Sequence, residues 1–223
     1  MYRLADQKLV VETPGIFAST EVQGLIAEEK NRPSKQWVFN VMQGKQEAHA
    51  IRVQTEQFIL LPDTERINRY WSILSNTARM MHSKYPWNKP ACTVNWLAIC
   101  TEPGLHSMRD LRGRHLPMLR ELQDKCQEAI AKETSVSKEE IMAYVHYPPS
   151  VFQLHIHFAY PYAQPNHRDV FRIHPLATII ANLEVDPEYY AKASIQVSVQ
   201  KDSPWHKMAM LAKLKARCQS PQS

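Results

Sequence analysis

The sequence predicts an α+β fold with a mostly antiparallel sheet and flanking helices. Strand-like and helix-like segments are mixed, but they do not follow a regular βαβα order. Leu111 to Thr134 carries apolar residues at helical spacing, whereas Ser150 to Ala159 and Ser194 to Gln200 alternate like strands. Fifteen prolines fix many turns, and glycine is scarce at five of 223 residues.

Each element follows from its own pattern. Ile26 to Lys35 (IAEEKNRPSK) is mostly polar and predicts a linker or exposed loop. QWVFNVMQGK begins apolar and is closed by Gly44. Ile51 to Pro62 reads as strand, turn, strand. From Arg66 to Tyr85, the residues Ile67, Tyr70, Trp71, Leu74 and Ala78 have helical spacing, and Pro86 ends the run. Val94 to Cys100 is a short apolar run bounded by turn residues, which predicts a buried strand. In Leu111 to Thr134 the stripe is Leu116, Leu119, Leu122, Cys126 and Ile130, so Cys126 is read as packing. Met142 to Tyr147 predicts a strand, Pro148-Pro149 a turn, and Ser150 to Ala159 a second strand. Pro175 to Leu183 predicts a helix and Ser194 to Gln200 a strand. Ser203 and Pro204 supply the N-cap and first position of a final basic helix. The division expected is an N-terminal segment and linker at 1–33, then one domain at 34–223.

Composition narrows the function classes. Apolar residues are 44% and charged residues 22%, ordinary for a globular protein and wrong for a disordered or collagen-like one. No run approaches the roughly 18 apolar residues of a membrane span. The opening MYRLADQKLVVETPG has early acids and no long apolar run, unlike a signal peptide. A net charge of +5 suggests anionic partners such as phosphates. Cys92, Cys100, Cys126 and Cys218 form no CxxC pair and suit no zinc ribbon. Reduced thiols in the cytoplasm or nucleus are therefore expected. Neither a Walker A loop nor a GxGxxG is present.

The chemistry concentrates in Val151 to Phe158 (VFQLHIHF). Alternation puts Phe152, Leu154, Ile156 and Phe158 on one apolar face, and Val151, Gln153, His155 and His157 on the other. His146 lies on the preceding strand, and the Pro-Pro turn can bring it back towards them. Ser150 can offer its hydroxyl at the same edge. Three readings fit these residues. The histidines can be ordinary polar residues on an open sheet face. His155 and His157 can be a metal pair with His146 as third ligand. Or a histidine nucleophile can carry phosphoryl or nucleotidyl transfer.

YVHYPPSVFQLHIHF resembles the active-site segment of the histidine triad superfamily. RDLRGRHLPMLRELQDKCQEAI, QWVFNVMQGKQEA, ILLPD and ANLEVDPEYY are similar to one branch of it, the scavenger mRNA decapping enzymes, over most of residues 34–200. The resemblance implies a histidine triad-like fold and a catalytic domain at 34–223. It also implies metal-independent hydrolysis of the 5′–5′ triphosphate of 7-methylguanosine cap dinucleotides or short capped RNA, releasing 7-methylguanosine monophosphate; the alternatives are a catalytically impaired cap-binding module or a general histidine triad nucleotide hydrolase. No cofactor and a homodimer are expected. His155 matches the nucleophile, His157 the last triad position, and His146 and Ser150 further active-site positions. Trp37 and Glu47 match the cap-recognition pair, Pro62 and Asp63 a Pro-Asp near the base, and Arg172 a basic residue that reaches phosphate. The physics agrees, because a methylated guanine is cationic and Trp is the best aromatic face for a cation.

The chain departs from the family at four points. Gln153 stands where the first triad histidine is expected, and its amide can donate and accept but cannot carry a proton. Glu65 stands where a lysine is expected, with Arg66 beside it. The N-terminal portion is short, and the stretch between Pro62 and Trp96 is long.

Overall fold

The computed structural model describes residues 6–63, 94–160 and 171–219. Their strands are β1 (Gln7–Glu12), β2 (Val53–Gln54), β3 (Phe58–Pro62), β4 (Asn95–Cys100), β5 (Met142–His146), β6 (His155–Ala159), β7 (Ile173–Pro175) and β8 (Ile195–Gln200). The helices are α1 (Pro14–Phe17), α2 (Thr20–Asn31), α3 (Trp37–Met42), α4 (Leu116–Thr134), α5 (Leu176–Val185), α6 (Tyr189–Lys192) and α7 (Pro204–Gln219). Six strands form one sheet in the order β2-β3-β4-β6-β5-β7, every pair antiparallel. β1 and β8 make a separate antiparallel pair. The expected α+β class is what the chain forms.

The central strand explains its own sequence. β4 lies between β3 and β6, and all six of its residues are buried. Trp96, Ala98 and Cys100 enter the main core, while Leu97 and Ile99 enter a second cluster on the opposite face. A strand covered on both sides reads as an unbroken apolar run. Against the main-core face lies α4, whose Leu119, Leu122, Cys126 and Ile130 are fully buried. Its neighbour α5 covers β5 and β7, and Arg120 on α4 pairs with Glu184 on α5. Over the other face, beside β3 and β4, lies α3. Its Val38 and Val41 pack with Leu61, Leu97, Ile99 and Val151. Gly44, with φ 69°, takes the left-handed position just after α3, where a side chain would be strained.

Several local expectations change. Ile26 to Lys35 is no loop: α2 runs to Asn31 and a 3-10 turn spans Pro33–Lys35. Ser19 caps α2, and Val22 and Ile26, four residues apart, anchor it. The helix expected from Leu111 begins at Leu116, after two 3-10 turns, with Pro117 in its first turn. The strand expected from Ser150 begins only at His155, because residues 151–153 bend. Ser203 caps α7 as expected, its Oγ accepting from the His206 amide at 3.4 Å. The helix expected from Arg66 to Tyr85, together with Glu65 and Arg66, lies outside the described residues.

The N-terminal residues are woven into this frame. β1 runs beside β8, and α7 packs on β1 and α2. At their junction sits a buried charged node. Glu12 and Arg109 are 0% and 2% exposed, with Arg109 Nη2 2.7 Å from Glu12 Oε1. The Tyr147 hydroxyl donates to the same carboxylate at 2.6 Å, and the Trp205 indole N–H donates to its other oxygen. Arg109 also donates to the carbonyls of Tyr190 and Ala193. Burial first, then the neighbouring Glu12 charge, pushes the Tyr147 hydroxyl well above its usual range.

Candidate active site

Register decides which side chains meet. Leu97 stands opposite His157, Ile99 opposite His155, and Tyr144 opposite His157. Directly paired residues in an antiparallel sheet share a face. One face therefore carries His155, His157, Tyr144 and His146, beside the Leu97 and Ile99 on which α3 is seated. The opposite face of β6 gives Ile156 and Phe158 to the core. The alternation expected over 151–158 holds even where the backbone is not strand.

The three imidazoles pack closely. His146 Nδ1 lies 3.0 Å from His157 Nε2, so one ring donates to the other. The ring centres of His155 and His157 are 5.0 Å apart, and those of His146 and His157 are 4.4 Å apart. Tyr144, 1% exposed, stacks on His157 at 5.2 Å and meets His146 edge-on. His155 Nδ1 sits 2.8 Å from the main-chain oxygen of Gln153. A carbonyl can only accept, so Nδ1 carries a proton, and in the neutral form of the ring the lone pair lies on Nε2.

The other expected residues fall into groups. Gln153 is 1% exposed, and its side-chain amide is engaged with main-chain carbonyls. Its Nε2 donates to the carbonyls of Cys100 at 2.6 Å and Glu102 at 3.0 Å. The Gln153 amide thus bonds main-chain carbonyls, while the Gln153 carbonyl accepts from His155. Ser150 is exposed on the turn. Arg172 is half-buried and donates to the Pro148 carbonyl at 3.0 Å, while its own carbonyl accepts from Tyr147.

Trp37 is half-buried at the start of α3 and packs on the Val38–Leu61–Ile99 cluster, on the histidine face. Glu47 is exposed on the loop after α3, with φ 53°, a left-handed conformation that costs a non-glycine residue about 1 kcal/mol. Pro62 and Asp63 are half-buried at the end of β3, and the Asp63 amide donates to Asn95 at 2.7 Å. Among the described residues, no group of three or more His, Cys, Asp or Glu is arranged to hold a metal ion. None of their helices is long and apolar enough to cross a membrane.

Sequence reasoning missed Tyr144 and the node behind His146. Tyr144 had a signal, since it precedes His146 by two and must share its face. Glu12 had a weaker one: alternation from buried Val10 puts it on the inner face of β1.

Comparison with known proteins bears on these residues. The sequence profile described as "Scavenger mRNA decapping enzyme C-term binding" matches residues 36–169. The m7GpppX diphosphatase of Rattus norvegicus is 32% identical over 208 residues, 91% of this chain and 55% of that protein. The protein of the same name from Homo sapiens is 30% identical, covering 93% and 56%, and that from Caenorhabditis elegans is 31% identical, covering 87% and 56%. The chain thus spans a little over half the length of these curated relatives. A solved structure, "Crystal structure of aprataxin ortholog Hnt3 in complex with DNA", covers 86% of this chain and 93% of its own at 13% identity and a TM-score of 0.41. That likeness is too loose to bear on the site. The profile takes in α3, β3, β4, α4 and every imidazole of the cluster, and on that match the chain belongs to the scavenger mRNA decapping enzyme family.

Proposed function

We propose that the protein hydrolyses the 5′–5′ triphosphate of 7-methylguanosine cap dinucleotides or short capped RNA, releasing 7-methylguanosine monophosphate through a nucleotidyl-histidine intermediate. The observation that carries this reading is His155, whose Nδ1 proton is committed to a main-chain carbonyl. That bond directs the Nε2 lone pair to the chemistry. Nε2 attacks the phosphorus beside the methylated nucleoside, an N–P bond forms, and the bond to the bridging oxygen breaks. The second nucleotide leaves as a diphosphate. Water then adds to phosphorus, the N–P bond breaks, and its electron pair returns to Nε2, while the water proton passes to solvent.

The remaining residues take roles by chemistry. His157, oriented by His146, binds the phosphate under attack, and Ser150 donates to the departing oxygen. Arg172 reaches a phosphate from the turn, and Gln153 orients His155. Trp37 stacks on the cationic base, Glu47 accepts from its N1–H and amine, and Pro62 and Asp63 flank it. Imidazoles and main-chain amides meet the developing charge, so the step needs no metal. The working form is a homodimer in the cytoplasm, the nucleus or both. Light scattering should give twice 25.9 kDa.

A second reading, a cap-binding module without turnover, draws on the commitment of the Gln153 amide to main-chain carbonyls. Incubation with a cap dinucleotide separates the two. The hydrolase yields 7-methylguanosine monophosphate with and without chelator and traps label on His155. Binding without product supports the module.

A further inference from the structure

We infer that Gln153 is a positioning residue for His155, a latch rather than a disabled relay member; the catalytic part of this inference rests on the hydrolase reading above. The segment entering β6 is held to the end of β4 by a short series of bonds. The Cys100 amide donates to the Leu154 carbonyl at 2.9 Å, and the Leu154 amide donates to Leu105 at 2.8 Å. Between them, one nitrogen of Gln153 donates to both Cys100 and Glu102. The same residue's carbonyl accepts from His155 Nδ1 at 2.8 Å. Side chain and main chain of Gln153 therefore act in series. The amide fixes the peptide, and the peptide fixes the tautomer and tilt of the imidazole.

An amide does this where an imidazole cannot. Its nitrogen carries two protons on one atom, whereas a neutral imidazole has a single N–H. A histidine here can serve only one of the two carbonyls: the other loses the Gln153 donor, at a buried place if it is Cys100, whereas the Glu102 carbonyl keeps the Leu105 amide at 3.1 Å. Residue 153 then relies on the flanking Leu154 bonds to Cys100 and Leu105, and the carbonyl that holds His155 can shift. Misplacement by about 1 Å in such a site can cost about a hundredfold in rate.

The variants Gln153→His and Gln153→Met test this. Met keeps the length and apolar stem but donates nothing. Losing two donated bonds is small beside the stability of a domain this size, so both variants fold, which circular dichroism checks. The first readout is the 15N spectrum of His155. In the unaltered protein Nδ1 is protonated, and in both variants the signal moves towards a mixture of tautomers. The second is turnover of a cap dinucleotide: kcat falls about tenfold or more in both, while KM stays within about threefold.

A His155 tautomer unchanged in both variants overturns the latch, whatever the activity. A kcat in Gln153→His equal to or above the original overturns it too, in favour of a proton relay. If the unaltered protein lacks turnover, the hydrolase reading fails, and the tautomer spectrum alone decides the latch. Unfolding of both variants also overturns it, since the residue would then serve the fold rather than the imidazole.

Discussion

Replacing Glu12 with Ala should destabilise the protein by about 3–5 kcal/mol, the usual cost of stranding one partner of a buried ion pair. The estimate starts from what remains. Arg109, 2% exposed, loses its carboxylate but keeps the Tyr190, Ala193 and Glu12 carbonyls. The Tyr147 hydroxyl and the Trp205 indole both lose their acceptor. Against a total stability of roughly 5–15 kcal/mol the loss is severe but survivable. Urea unfolding followed by circular dichroism measures it. With a slope near 3 kcal/mol per molar, the midpoint should fall by about 1–1.7 M. Adding Arg109→Met should recover part of the loss, because the stranded charge disappears with it. A single-variant loss below about 1 kcal/mol, or a double variant weaker than the sum of the two, would refute the claim that the charges are dry and mutually dependent.

Three further predictions are independent of that node. His155→Asn should lower kcat by about a thousandfold or more while leaving cap-analogue affinity within about threefold, read by single-turnover kinetics and titration; turnover within about tenfold of the original removes His155 as nucleophile. Trp37→Ala should weaken methylated cap analogues by roughly 1–2 kcal/mol more than unmethylated ones, and an equal loss for both returns Trp37 to a packing role. Burial holds His174, His106 and His115 below their ordinary value of 6.5, so the unfolded chain takes up protons first as pH drops. Stability is whole above pH 6.5 and falls below it. At the other end, burial lifts the Cys100 thiol from 9.0 to about 12, so stability falls as pH rises above 9. A flat urea midpoint from pH 5 to 10 contradicts both.

What the sequence disclosed was what depends on near neighbours. Alternation assigned the faces of 151–158, because it survives wherever the backbone is extended, although hydrogen-bonded strand starts only at His155. It could not reveal that the Gln153 side chain would find Cys100 and Glu102, fifty residues away in sequence. α2 stayed hidden because its buried side holds only Val22 and Ile26, too narrow a stripe in a polar run. β1 has no local signal for its pairing. Its partner lies at the far end of the described chain, and KLVVE alone gives no sign of one. Glu12 is the sharpest case: a carboxylate at a strand end is ordinarily solvated, and only Arg109, Tyr147 and Trp205 together make burial tolerable.

The pairing of β1 with β8 also sets the order of folding. Gln7 finds Gln200 and Glu12 finds Ile195, so the loop closed is almost the whole described chain. Contacts so remote in sequence form late and slowly, since loop closure must precede any reward. During synthesis the six-stranded sheet can assemble while β1 waits, its edge amides unpaired and Val10, 5% exposed in the folded protein, not yet covered. Glu12 waits as well, because the indole of Trp205 emerges from the ribosome last of its partners. Until then the growing chain presents an apolar strand with a bare edge, a template for pairing with another copy. The newly made chain is therefore open to such pairing in the interval between completion of β7 and arrival of α7.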